Sequence, residues 1–324
     1  MNVPICKLLW RELNGDLGDP ASLVGRQRAR IMSMRRYSDD NRDRVLAFCF
    51  HLARNDQRET LTTKNVLKSK GKVEVTSSLM EACLHLWNLA SLMADYAKIL
   101  VQPDKASIIR KTDLIRIIAS IFSNLRDEFL PQLRGITNWD LTPESANFYH
   151  TLFSAHFYEL KSQLKNTPQN LETASLLYNS ALHNPFVLNP GFSLRKQSVF
   201  CHLQAIAALA RSEKVESNIG SYVFYLRKAV ELFQSESRSF KALYHVIGEQ
   251  ISRDLQEAES SPLLYELWTI RPGNVLEPKQ TFSSTLSCKL ERPFVYQEQM
   301  RELGEYNKTI EEGLQDIESF TESV

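Results

Sequence analysis

The sequence predicts an all-α fold: at least eight helices in antiparallel succession within one domain. Three observations predict it. Apolar residues recur at helical spacing through most of the 324 residues. Gly (11) and Pro (12) are scarce, and most Pro residues fall where the periodic segments start or stop. Apolar residues at 43%, aromatics at 10% and charged residues at 24% fit an ordinary globular chain, not a collagen-like, linker-rich or many-turned β one.

Along the chain, the first 20 residues read as extended or irregular. Leu79, Cys83, Leu86, Ala90, Met93, Ala97 and Leu100 follow alternating steps of 4 and 3, one stripe on a long helix. Leu114, Ile118, Ile121, Leu125 and Phe129 repeat the pattern. Thr142-Pro143 and Thr167-Pro168 each read as an N-cap followed by proline at the first helical position, where the missing N–H costs nothing. Val199, Leu203, Ile206 and Ala210 predict the next helix, and Ile219, Val223, Leu226, Val230 and Phe233 another. Phe240, Leu243, Ile247, Ile251 and Leu255 predict one more. Thr281 to Pro293 looks extended, and Leu303, Tyr306, Ile310, Leu314 and Ile317 mark a final helix. No fixed repeat period emerges, which disfavours a regular solenoid.

Composition also excludes function classes. The 39 basic residues nearly balance the 38 acidic ones, so the chain as a whole has no bulk attraction to nucleic acid or acidic lipid. The five cysteines, Cys6, Cys49, Cys83, Cys201 and Cys288, are an odd number and widely spaced. A disulfide framework or zinc knuckle is disfavoured, and a reducing compartment is the natural setting. Lys7, Arg11, Glu12 and Asp16 interrupt the first 17 residues, unlike a secretory signal. The most apolar stretch, Leu114 to Phe122, contains Arg116 and falls far short of the roughly 20 residues of a spanning helix. The expectation is a soluble, cytoplasmic chain.

Charge is unevenly distributed. Residues 1–72 hold 15 basic and 8 acidic side chains, and the remainder holds 24 and 30. Arg28, Arg30, Arg35, Arg36, Lys68, Lys70 and Lys72 form a candidate basic surface for an anionic lipid, a nucleic acid or an acidic partner, each cation near an anionic membrane contributing about 1 kcal/mol. A solvated helix face paired with Asp39, Asp40 and Asp43 is the plainer account, and it is preferred.

Catalytic patterns are mostly missing from the sequence: it has no glycine-rich phosphate loop, nucleophile elbow or two-histidine zinc helix. Lys68-Ser69-Lys70-Gly71-Lys72 lacks the flanking residues of a phosphate-binding loop and reads as a lysine-rich turn. His150 and His156 lie six apart, about 600° on a helix, so their rings point to different sides. They are expected at the surface or the edge of the core. Cys83 and His85 likewise diverge. No cofactor, metal site or enzymatic activity is expected.

Several segments, taken in order, resemble the Bro-1 domain family, most like its Brox/Alix type. Leu79 to Leu92 resembles the family helix in which an early Glu precedes an apolar run, Asn and Ala, places held here by Glu81, Asn88 and Ala90. Leu114 to Leu125 is similar to the helix with the pattern A-A-G-x-F-x-x-L, with Ser120 where Gly is usual, and Leu130-Pro131-Gln132-Leu133 follows. Asn218 to Ala229 resembles G-E-x-I-A-x-L-x-x-A, with Ser221 and Tyr222 at its two carboxylate positions. Ser260 to Tyr265 with Ile270-Arg271-Pro272 resembles the D-N-x-x-I-Y…V-P element without its Asp-Asn.

This resemblance implies an elongated, curved domain with a helical-hairpin core and a small β element. An N-terminal extended, basic segment (1–34) would pack on the Bro-1-like domain (35–295), and a C-terminal helix and acidic tail (296–324) would follow. It implies a non-enzymatic adaptor of the endosomal sorting (ESCRT) pathway, cytoplasmic and in part endosomal or peripheral to membranes. The implied partner is the C-terminal amphipathic helix of an ESCRT-III subunit, a charged multivesicular body protein. The apolar groove for that helix would lie between helices near Phe148 to Gln163 and Gln169 to Leu182, lined by Tyr158, Leu160, Leu171, Ser175 and Tyr178. Two alternatives stand beside it: a rhophilin-like signalling or cytoskeletal scaffold, and an anionic-lipid or nucleic-acid binder using the basic N-terminal region. The chain ends Thr321-Glu322-Ser323-Val324 without a prenylation box, so membrane association is expected to need a partner or the basic face. As a PDZ ligand that end is less favoured than a frayed acidic tail.

Overall fold

The computed structural model describes residues 3–15, 23–54, 61–64, 67, 71–100, 104–133, 139–165, 167–186, 192–216 and 218–260. Lys68, Lys70, the segment Thr281 to Pro293 and the stripe from Leu303 to Ile317 lie outside them. The described chain is almost wholly helical with one small sheet, and its contacts gather into two compact units. One holds the described residues up to Phe153 together with Asn184–Phe186. The other holds Ser154–His183 and Phe192 onward. The division runs through a single helix of 22 residues, about 33 Å long, whose two halves serve different cores.

In the N-terminal unit, β1 (Leu13–Gly15), β2 (Leu61–Lys64) and β3 (Lys72–Val75) form an antiparallel sheet in that order, with Leu13 opposite Thr63 and Leu61 opposite Val75. This is the small β element that the resemblance implies. Helix α1 (Leu23–Ser33) is followed by α2 (Asp39–Arg54), whose start is capped by Ser38 Oγ accepting from the Asn41 N–H. Helix α3 (Ser78–Ile99) is capped by Ser77 and buried on nearly every side, as its apolar sequence requires. Trp87, fully buried, meets the rings of Phe122 and Tyr149 edge-on, and Phe122 stacks on Tyr149 and Phe153. Helix α4 (Lys105–Asn124), capped by Asp104, widens into a π-helical turn at Leu125–Phe129 and ends in a 3₁₀ turn at Leu130–Gln132. Pro131, without an N–H to continue the ladder, sits at that end.

Helix α5 (Pro143–Leu164) starts at the predicted Thr-Pro. Thr142 Oγ1 accepts from the Ser145 N–H, and Ser145 Oγ accepts from the Thr142 N–H, a reciprocal cap. In the C-terminal unit the second half of α5 is followed by α6 (Pro168–Leu182), α7 (Leu194–Val215), α8 (Ile219–Ser235), α9 (Arg238–Leu243) and α10 (His245–Glu259). Helix α6 packs on α7, α7 on α8, and α8 on α10. Alanines on α7 allow close approach: Leu171 of α6 packs against Ala205 and Ala208. The stripe from Phe240 to Leu255, predicted as one helix, is two. The chain breaks at Tyr244, whose ring stacks on Phe200 at 4.3 Å and leans on Phe240 at 4.8 Å, and Leu243 is left 61% exposed.

Candidate partner-docking face

Four of the five predicted groove residues lie inside the C-terminal unit. Leu160 (2% exposed), Leu171 (3%), Ser175 (7%) and Tyr178 (0%) are buried, and only Tyr158 is half-buried. The structure therefore brings four of them into the packing of α5, α6 and α7, where they carry no open surface. Ser175 shows why: its hydroxyl lies 3.2 Å from Ser198 Oγ of α7, which in turn donates to the Ser175 carbonyl.

Tyr178 belongs to a buried polar cluster that sequence reasoning missed. Its hydroxyl donates to Glu159 Oε2 at 2.6 Å and lies 2.7 Å from His156 Nδ1, while Gln197 Nε2 donates to Glu159 Oε1 at 2.6 Å. The Tyr244 hydroxyl reaches Gln197 Oε1 at 3.4 Å. Burial first, and the nearby Glu159 second, push the Tyr178 phenol well above its ordinary pKa, so it stays a donor. Cys201 is held protonated by the same two causes. A carboxylate within four residues of a histidine, inside the apolar run Phe157-Tyr158-Glu159-Leu160, was the available signal. At the junction of α6 and α7, His202 Nδ1 meets Glu172 Oε2 at 2.7 Å.

The surface beside this core is formed by other side chains. On α5, Phe157, Tyr158, Lys161 and Leu164 are half-buried. The Phe157 and Tyr158 rings meet edge-on, and the Lys161 ammonium lies 5.7 Å from each ring centroid. The outward stripe of α6 is Gln169, Thr173, Leu176 and Ser180, with Leu176 its half-buried apolar member. This arrangement offers rings, aliphatic surface and one cation.

The predicted basic surface needs a correction at Arg28. That side chain is 1% exposed, and its Nε and Nη2 donate to Glu81 Oε1 and Oε2 at 2.6 and 2.9 Å, with His85 Nε2 3.2 Å from Oε1. A bidentate carboxylate 53 residues away draws the guanidinium into the core. Arg30, Arg35, Arg36 and Lys72 are exposed. The two histidines on α5 also differ from expectation. Both are buried, His150 against the Ala119 carbonyl and His156 against Tyr178, so they diverge as predicted but toward core partners. Among the described residues no cluster of metal-ligating side chains occurs, and no helix is long and apolar enough to cross a membrane.

The sequence matches no family model and no curated protein. Solved structures do resemble the chain. One described as "ALIX BRO1 CHMP4C complex" superposes with a TM-score of 0.68 at 14% identity, over 90% of this chain and 99% of that one. A second, "Crystal Structure of ALIX in complex with the SIVmac239 PYKEVTEDL Late Domain", gives 0.64 at 13% identity, over 95% of this chain and 53% of that longer one. A third, "Structure basis for endosomal targeting by the Bro1 domain", gives 0.63 at 13% identity, over 82% and 88%. At such identities a likeness shows architecture alone, and over most of its length the chain has a Bro1-like fold.

Proposed function

We propose that this chain is a non-enzymatic adaptor of the endosomal sorting machinery, which docks the C-terminal amphipathic helix of an ESCRT-III subunit of the charged multivesicular body type. The observation that carries the reading is the match to a Bro1 structure whose printed description includes CHMP4C, over 90% of this chain and nearly all of that one. The chemistry of the described residues supports it. The four described cysteines are buried, and burial pushes the Cys6 thiol up to about 12, which is the inert type.

In this reading Tyr158, with Phe157 and Lys161 beside it, touches the ligand helix. Leu160, Leu171, Ser175 and Tyr178 act from behind, fixing the spacing of α5, α6 and α7 that shapes the groove. Such a groove gains roughly 25 cal/mol per Å² of apolar area buried, less the cost of ordering the peptide. The protein would act in the cytoplasm and reach endosomes through its partner.

Titrating fluorescently labelled C-terminal peptides of charged multivesicular body proteins against the full chain tests the proposal. Saturable binding that Tyr158→Ser weakens supports it. No saturation by about 100 μM, equivalent to roughly −5.5 kcal/mol, removes the ESCRT-III partner and leaves a scaffold for a different one.

A further inference from the structure

We infer that the N-terminal unit carries a second interaction surface, for an anionic phospholipid membrane, built from Leu9 and Trp10 beside Arg30, Arg35 and Arg36. It is independent of the docking of a partner helix.

The surface is displayed on a rigid support. Backbone carbonyls of the segment 8–11 are fastened to α3: Ser91 Oγ donates to the Leu8 carbonyl, Trp87 Nε1 to the Leu9 carbonyl, and Asn88 Nδ2 to the Arg11 carbonyl. The Arg11 N–H donates back to Asn88 Oδ1. Leu8 and Arg11 point into the core, whereas Leu9 stays 49% exposed and Trp10 half-exposed. An exposed leucine next to an indole, held in place by four hydrogen bonds, is an arrangement that water disfavours and a headgroup–acyl boundary favours.

Charge lies directly beside it. The Arg35 guanidinium sits 5.9 Å from the centre of the Trp10 ring, and its Nη1 is fixed by the Met32 and Met34 carbonyls at the end of α1. Arg36 follows, exposed, and Arg30 is exposed one turn before the end of α1. The acidic groups that follow the arginines in sequence are engaged by other cations, while Glu12, two residues beyond Trp10, is exposed. Asp39 is bound by Arg42 and Arg110, Asp40 by Arg44, and Asp43 by Arg42. Arg30 adds to the field that lowers the Asp40 pKa, after the Arg44 hydrogen bond, so it is the most compensated of the three arginines. A guanidinium beside an indole, with an exposed leucine next in sequence and two more exposed arginines on and just after α1, fits lipid phosphates over an acyl layer, where a purely electrostatic nucleic-acid site would leave Leu9 without a role.

The test uses the full chain and vesicles of phosphatidylcholine and phosphatidylserine mixed about two to one. The expected result is co-sedimentation that is absent with phosphatidylcholine alone, falls as salt rises, and brings a blue shift of tryptophan emission. Arg36→Gln should weaken binding about fivefold, and Arg35→Gln with Arg36→Gln about 25-fold. Leu9→Ser, which leaves the fastening backbone carbonyls in place, should also weaken it about fivefold. Circular dichroism matched to the native chain qualifies each variant, and Arg30→Gln replaces the double variant if Arg35→Gln fails that check. Equal sedimentation with neutral vesicles would overturn the assignment. So would unaltered binding by Leu9→Ser, or short duplex RNA bound as tightly as the anionic vesicles.

Discussion

Replacing Leu171 tests whether it is a buried support of the proposed docking face and Tyr158 a contact on it. Its side chain is 97% withdrawn from solvent and packs on Ala205 and Ala208, which are too small to move into the space it would vacate. Leu171→Ala removes three carbons, about 2.4 kcal/mol at ~0.8 kcal/mol each. The residual cavity should bring the loss to about 3–5 kcal/mol. Leu171→Asp would add an ionised carboxylate to the same space and exceed that cost. Urea unfolding followed by circular dichroism measures the effect: Leu171→Ala should lower the midpoint strongly, whereas Tyr158→Ser, at a half-buried position, should change stability by about 1 kcal/mol or less. A Leu171→Ala protein of native stability that no longer bound peptide would refute the division between a buried scaffold and an exposed contact.

Other substitutions test the buried polar groups. Arg28→Met should destabilise by about 3–5 kcal/mol in urea titrations, because Glu81 is left charged in the core without its bidentate partner. Burial raises the Glu81 carboxyl, but hydrogen bonds from His85 and Arg28 outweigh it and hold the pKa below the ordinary range. Its stabilising contribution is therefore present above about pH 4.3 and lost as pH falls through the lower folded value. Urea midpoints across the acid range should show the gap between the native chain and Glu81→Gln narrowing at low pH, and a constant gap would contradict this. Tyr178→Phe should cost about 1–3 kcal/mol by removing the hydroxyl between Glu159 and His156, read as a lower thermal midpoint. Gly248→Ala ordinarily gains about 1 kcal/mol in a helix. Here the new Cβ would run into the Phe233 ring, so a lower melting temperature is expected.

The helices were legible because their stripes are long and their starts are chemically marked. Pro143 and Pro168 each open a helix as read, and α3 follows the seven-member stripe from Leu79. The break at Tyr244 was invisible, since a single residue out of register leaves the spacing of Phe240, Ile247 and Ile251 intact. The strands at Leu61–Lys64 and Lys72–Val75 are four residues each, too short for alternation to stand out among lysines. Arg28 resembled its exposed neighbours because the carboxylate that buries it lies 53 residues away. The groove residues were located by resemblance, and of them Leu160, Leu171 and Tyr178 lie buried in the core. Periodicity marks the face that leaves water and cannot say whether a neighbouring helix or a ligand covers it.

Photocross-linking asks whether Tyr158 lies against a docked ESCRT-III helix. A benzophenone amino acid replaces Tyr158 in one protein and the 63%-exposed Val246 in another, and each is irradiated with the C-terminal peptide of CHMP4C. A cross-link from position 158 that excess unlabelled peptide abolishes is expected, and none from position 246. Equal labelling at both positions, or labelling that competitor leaves unchanged, would contradict it.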